Sequence, residues 1–245
     1  MPQTKIVFFD IDGTLIDMQA KKITPKMLET LHRLQDRGIK ICIATGRSPM
    51  VLPKIDGVAF DAYLTFNGSL CYDRKGVIFS NPIPHKDVVR FIQNAAALGR
   101  PVCVSTRDRL AANGADTDLT DYFAIANEDV PIVDNFDAMC EEDIYQLMLG
   151  CRPKDYPALL DGAPGAKIAA WWDRAVDVIP AGGGKGIGIE KMLAYYGLDK
   201  AEALAFGDGN NDREMLLAVG TGVAMENGSP ELKAIADEIC GPVYE

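Results

Sequence analysis

Histidine is almost missing from this chain of 245 residues, where only His32 and His85 occur. His32 falls in a helical pattern and His85 between Pro84 and Lys86, so acid–base catalysis resting on imidazole is not expected. Positive charge is short as well, with 25 Lys and Arg against 35 Asp and Glu and a formal net charge of −10. That balance lacks the basic footprint of non-specific nucleic-acid binding, and an anionic ligand therefore requires local cations. No run approaches the roughly 20 apolar residues of a membrane-spanning helix. The apolar stretch after Lys5 is too short for the core of a secretory signal, so a cytoplasmic protein without membrane partners is expected. Cys42, Cys71, Cys103, Cys140, Cys151 and Cys240 form no CxxC and no zinc-like spacing, and they read as reduced thiols. Repeats and low-complexity tracts are lacking too. Hydrophobic residues, at 48%, are plentiful enough for a sizeable core, in one large domain or in a core carrying an inserted module.

Within this composition, Ile6 to Leu15 is chemically unusual: an apolar run stops abruptly at Asp10-Ile11-Asp12-Gly13-Thr14. Ile6 to Phe9 show no polar alternation, which predicts a strand covered on both faces, as in a parallel sheet under helices. Side-chain alternation sends Asp10 and Asp12 to the same side. Two anions so placed repel, so either one is protonated or a cation lies between them. Gly13 permits a sharp turn, and the Thr14 hydroxyl can bond a neighbouring turn or a ligand.

Two further strands end in polar clusters. Thr24-Pro25 opens a helix striped by Met27, Leu28, Leu31 and Leu34 and stopped by Gly38, and Ile39 to Ala44 then runs into Thr45-Gly46-Arg47. Ser48-Pro49 is expected to cap another helix, and Ala62 to Phe66 to pair with Ser69 to Tyr72 through an Asn67-Gly68 hairpin turn. From residue 81 to 180 prolines multiply and the elements shorten: a helix over Lys86 to Leu98, strands at Pro101 to Ser105, Asp143 to Cys151 (strand or short helix), and a hairpin turning at Asp173-Arg174. Ala181 to Gly186 reads as a hinge carrying Lys185, or as a plain linker. Its spacing is not that of a Walker A loop, and no GxGxxG is present. A helix from Ile187 to Tyr196, a strand from Ala203 to Phe206 ending in Gly207-Asp208-Gly209-Asn210-Asn211-Asp212, a helix beginning at Met215, a strand from Gly222 to Met225 and a helix from Ser229 through Asp237 complete the chain.

Ligands of open parallel α/β sheets bind beyond the carboxyl ends of the strands, so these clusters can meet in one crevice. Asp10, Asp12 and Asp208 are hard oxygen donors that suit Mg²⁺ rather than zinc. Thr45, Arg47, Lys185 and Asn211 are donors of the kind that hold a phosphate. Arg47 either points into the crevice or pairs with acids. In the middle segment, Trp171 and Trp172 either stack on a sugar or pack inside, and Arg107, Asp108 and Asn113 lie on a polar loop.

DIDGT, TGR, KG and GDGNND, in that order, resemble the haloacid dehalogenase superfamily of phosphatases, in particular its Cof-type sugar-phosphatase branch with a large cap between the second and third motifs. The resemblance covers essentially the whole chain. It implies an α/β fold, with a Rossmann-like, doubly wound parallel-sheet core at 1–80 and 181–245 and an inserted α/β cap at 81–180 that selects substrate. It implies a Mg²⁺-dependent phosphatase of small phosphate esters, monomeric or weakly homo-oligomeric, with Asp10 as nucleophile and Asp12 as acid and then base. By the same resemblance Mg²⁺ is held by Asp10, the Asp12 carbonyl and Asp208. Thr45, the Gly46 amide, Lys185 and Asn211 hold the phosphoryl oxygens, and Asp212 supports Lys185 or a metal-bound water. A phosphomutase sharing the aspartyl-phosphate and a non-catalytic sugar-phosphate-binding protein are the alternatives. Family chains usually continue past the segment matching 237–244 into a further helix, where this one ends at Glu245.

Overall fold

The computed structural model describes residues 3–125, 128–170 and 172–244. Its first strand, β1 (Ile6–Phe9), is buried along its whole length. Ile6 and Phe8 pack into one apolar cluster and Val7 and Phe9 into another, which is why the run carries no polar alternation. There follow α1 (Pro25–Asp36), β2 (Lys40–Ala44), β3 (Ala62–Thr65), β4 (Leu70–Asp73) and β5 (Gly76–Ser80). The middle of the chain supplies α2 (His85–Ala97), β6 (Cys103–Ser105), β7 (Leu110–Ala112), α3 (Thr117–Ile125), α4 (Phe136–Met139), β8 (Gln146–Gly150), α5 (Tyr156–Leu160), β9 (Ala166–Ala169) and β10 (Ala175–Pro180). The last part adds α6 (Lys185–Tyr196), β11 (Ala203–Gly207), α7 (Arg213–Leu217), β12 (Thr221–Met225), α8 (Pro230–Lys233) and β13 (Glu238–Cys240).

The chain folds into two compact units, one of Met1–Arg47, Leu52–Ser80 and Gly184–Glu245, the other of Ser48–Val51 and Asn81–Gly183. In the first, the sheet order is β13-β12-β11-β1-β2-β3-β4-β5. The strands from β13 to β3 are parallel and β4 and β5 turn back antiparallel. Chain order reverses about β1, the switch point at which such sheets bind ligands. Helix α1 covers one face: the Thr24 hydroxyl accepts from the Met27 N–H at 3.1 Å, Pro25 sits in the first turn, and Gly38 takes φ +71° just after the end. Leu31, its fully buried residue, contributes roughly 1.5–3 kcal/mol by leaving water. Helices α6 and α7 cover the other face through Ile189, Met192, Leu193, Met215 and Leu216.

In the second unit the sheet order is β7-β6-β8-β10-β9, antiparallel throughout. Helices α2, α4 and α5 supply residues to one apolar cluster of this sheet and α3 to another. Asp118, nearly buried, is held by the guanidiniums of Arg152 and Arg174, and the Arg152 hydrogen bond foremost keeps its carboxyl below the usual range. Of the 143–151 segment, Gln146–Gly150 is strand, and the hairpin at Asp173-Arg174 joins β9 to β10.

Three local expectations are corrected. Ser48-Pro49 opens only a three-residue 3₁₀ turn, Pro49–Val51, and not a helix. The β3–β4 connection is not a two-residue turn: Thr65 pairs with Leu70, and Phe66, Asn67 and Gly68 all take positive φ, at 51°, 52° and 85°. The final helix stops at Lys233 rather than Asp237, because the Asp237 carboxylate accepts from the Gly222 N–H at 2.8 Å and the chain continues as the edge strand β13. No helix among the described residues is long and apolar enough to cross a membrane.

Candidate active site

Parallel register lines up the strand ends. Phe9 pairs with Phe206 on one side and Ile43 on the other, and the Asp10 N–H donates to the Phe206 carbonyl at 3.0 Å. Asp10, Thr45 and Asp208 therefore leave neighbouring strands at nearly the same level. Strand parity carries Asp10 to the face of Ile6 and Phe8, which is the face under α6, and α6 begins with Lys185. The Lys185 ammonium, fully buried, donates to Asp10 Oδ1 at 2.6 Å and to Asp212 Oδ1 at 2.5 Å. The N–H groups of Asp208 and Gly209 both donate to Asp212 Oδ2 at 3.0 Å. Asp212 thus folds the 207–212 loop onto itself and steadies the lysine.

Asp208 is held by the Thr14 hydroxyl, which donates to its Oδ1 at 2.9 Å. Gly13 is indispensable to this approach. It adopts φ +90°, and a Cβ on it would lie 2.2 Å from Asp208 Oδ2. The Gly13 carbonyl accepts from Asn227 Nδ2 at 2.8 Å, and Asn227 Oδ1 in turn accepts from the Val243 N–H at 3.0 Å. Asn227 is a site-supporting residue that sequence reasoning missed, since nothing in its local pattern marks a partner 214 residues away.

Asp10, Asp208 and Asp212 bring carboxylate oxygens to within 4.8 Å of one another. Among the described residues, Asp10 Oδ2 and Asp208 Oδ2 take no hydrogen bond. Burial pushes Asp10 well above the usual carboxylate range; Lys185 opposes this, but the Asp212 and Asp208 charges reinforce it. Asp208 is pushed up to about 6, first by burial and then by Asp212, against the Thr14 hydrogen bond. Burial alone would lower the Lys185 ammonium, yet Asp10 and Asp212 outweigh it and hold it above its ordinary range. One lysine therefore faces three carboxylates. An anionic cluster of oxygen donors alone, with open lone pairs, fits a hard divalent cation such as Mg²⁺.

Asp10 and Asp12 part company. The strand ends at Phe9, Ile11 is buried beside Val7 and Phe9, and the Asp12 carboxylate takes a bidentate bond from Arg47, Nε to Oδ2 at 2.8 Å and Nη2 to Oδ1 at 2.6 Å. Asp12 is accordingly outside the carboxylate cluster, where only its backbone carbonyl was expected to serve. Arg47, expected among the phosphate donors, spends these two N–H groups on Asp12 instead. The other candidates come together. The buried Thr45 hydroxyl accepts from the Arg47 N–H at 3.1 Å, Gly46 lies against the side chain of Asn67, and Asn211 Nδ2 donates to Asn67 Oδ1 at 3.3 Å. Asn67, read from sequence only as a turn residue, belongs to this group.

Within the other unit, Asn113 holds the start of β6, accepting from the Val102 N–H at 2.8 Å, and Asp108 accepts from the Thr106 hydroxyl at 3.3 Å. Asn113 thus closes the open end of the β6–β7 pair, and Asp108 stabilises the turn between the two strands. Trp172 lies 5.0 Å beneath the Arg174 guanidinium, Arg107 is exposed, and Trp171 is outside the described residues.

Residues 7–245 match the family of haloacid dehalogenase-like hydrolases. YkrA of Bacillus subtilis, provisionally named a phosphatase, is 36% identical over 99% of this chain and 94% of its own. YitU of the same organism, a 5-amino-6-(5-phospho-D-ribitylamino)uracil phosphatase, is 28% identical over 95% of this chain and 90% of its own. The solved structure of the haloacid dehalogenase subclass IIB sugar phosphatase BT4131 superposes with a TM-score of 0.89 at 28% identity, covering 98% of this chain and 95% of that one.

Proposed function

Because the chain belongs to the haloacid dehalogenase-like hydrolases, as a phosphatase of their Cof branch, we propose that it is a Mg²⁺-dependent hydrolase of small phosphorylated metabolites, sugar phosphates foremost. The observation that carries this reading is Asp10 at the end of β1, bound through one oxygen to a buried lysine and set against two further carboxylates. In this reading Asp10 attacks phosphorus through a carboxylate oxygen, the phosphorus–ester oxygen bond breaks, and an aspartyl-phosphate forms. Asp12, released from one of its two Arg47 bonds and protonated there, gives that proton to the departing oxygen and then takes one from the water that splits the acyl phosphate, releasing inorganic phosphate and restoring Asp10. Thr45, the Gly46 N–H, Lys185 and Asn211 hold the phosphoryl oxygens, and Asp212 keeps Lys185 in place. Asp10, Asp208 and the Asp12 carbonyl would hold Mg²⁺, which when bound supplies positive charge that keeps Asp10 ionised and offsets charge on the phosphoryl group. The 81–180 module is assigned substrate selection, and the protein is placed in the cytoplasm, acting as a monomer or weak homo-oligomer.

The test is phosphate release from a panel of sugar phosphates and one aryl phosphate, with Mg²⁺ and with chelator. Metal-dependent release is expected. Isomerised sugar phosphate with little free phosphate would replace hydrolysis by mutase chemistry, and binding without any turnover would leave only a sugar-phosphate binder.

The metal requirement has a pH signature. The Asp208 carboxyl titrates near 6 in the fold against about 3.9 in an unfolded chain. Its proton therefore stabilises the metal-free protein fully below about pH 4, and that contribution is lost as pH rises through 6. Its size is at most about 3 kcal/mol, from roughly two pKa units. Melting curves in chelator are expected to fall between pH 4 and 6, with Mg²⁺ restoring stability above pH 6 and Asp208→Asn flattening the difference. A Mg²⁺ stabilisation that does not change with pH would remove Asp208 from the metal site.

A further inference from the structure

We infer that Asn67 is a positioning residue of the phosphate site, a bracket that sets Asn211 against the Gly46 strand end. The inference deepens the proposed reaction and rests on it for the identity of the bound group. Three observations carry it. Asn67 is 4% exposed, and its Oδ1 accepts from Asn211 Nδ2 at 3.3 Å. The amide also lies over Gly46: a Cβ there would come within 3.2 Å of Asn67 Nδ2 and 3.3 Å of Oδ1. Finally, the turn needs no side chain at this position. The Phe66 N–H donates to the Arg47 carbonyl and the Asn67 N–H to the Thr45 carbonyl, both at 3.0 Å, so the backbone alone fastens it to the second strand end.

The φ of +52° at Asn67 is one that glycine adopts without strain. A turn that only had to be left-handed would be served by glycine; the asparagine adds an amide aimed between two proposed phosphate-binding groups. Asn211 is exposed and long enough to wander, so a fixed acceptor for one of its N–H bonds limits its rotamers and leaves its other N–H for the ligand.

Asn67→Gly is therefore expected to melt with the wild type while weakening the phosphate site. The KM for the best substrate and the dissociation constant for inorganic phosphate, titrated calorimetrically, should each rise about tenfold, the effect of about 1.4 kcal/mol of lost hydrogen bonding, with kcat changed less. Asn211→Ala should produce a similar rise. The double variant should be no worse than Asn211→Ala alone, because Asn67 acts only through Asn211. Unchanged constants in Asn67→Gly, or effects that add in the double variant, would overturn the inference. If the wild type released no phosphate from any ester, the phosphatase reading would fall, while the inorganic phosphate titration would still decide whether Asn67 shapes the site.

Discussion

Asp10→Asn is expected to abolish phosphate release and to leave a protein that melts at or above the wild-type temperature when metal is removed. Loss of a nucleophile costs on the order of 10⁴ to 10⁶ in kcat, since no neighbouring group can form the same covalent intermediate. Stability moves the other way because burial and two flanking carboxylates hold Asp10 far above its ordinary range, so ionising it in the metal-free fold is expensive. A neutral amide avoids that cost and can still accept from Lys185. Phosphate release and thermal melts in chelator check both halves. An inactive variant that also unfolds would show that Asp10 holds the fold together, which contradicts the charge argument.

Lys185→Met should damage activity and stability together. The ammonium is fully buried and is the shared partner of Asp10 and Asp212. Removing it strands two buried carboxylates, a loss of roughly 3–5 kcal/mol on the scale of broken buried ion pairs. The phosphoryl group loses a charge as well, which lowers turnover by about 10²–10³. Urea unfolding of Lys185→Met, Asp10→Asn and the double variant separates the effects. The double variant should recover much of the lost stability, because fewer stranded charges remain, and recover no turnover. Equal destabilisation in Lys185→Met and the double variant would mean that the lysine stabilises by packing alone.

The two variants differ for a reason that no local pattern contains. Asp10 and Lys185 are 175 residues apart, and Lys185 and Asp212 are 27 apart. Residue type and position, at strand ends and a hinge, mark the lysine and the aspartates as candidates. It could not rank them by burial, and burial is what makes the lysine doubly costly to remove.

Much of the core was readable because its signals are short-range. The unalternating Ile6–Phe9, the Thr24-Pro25 start of α1 and the Gly38 stop each follow from steric and solvation preferences of a few neighbouring residues. The misses fall where a distant partner overrides such preferences. Ser48-Pro49 has a helix-starting pair and opens only a 3₁₀ turn. Ser229-Pro230 does start α8, but Asp237 bonds to Gly222 and ends the pattern early. Asn67-Gly68 looks like a hairpin dipeptide, and the hairpin exists, yet Phe66 joins it in the left-handed region because the Arg47 and Thr45 carbonyls fasten the turn.

The kinds of group available to this protein were settled by its amino-acid order: oxygen donors without histidine or paired cysteine, three polar strand ends, one lysine at a glycine-rich hinge. How those groups share their bonds was not, because charge pairing and desolvation depend on distance through space. Folding gives Asp12 to Arg47 and Asp10 to Lys185, presses Gly13 against Asp208, and turns an ordinary turn asparagine toward Gly46 and Asn211. Strand register and helix packing set those distances, and a list of residues contains neither.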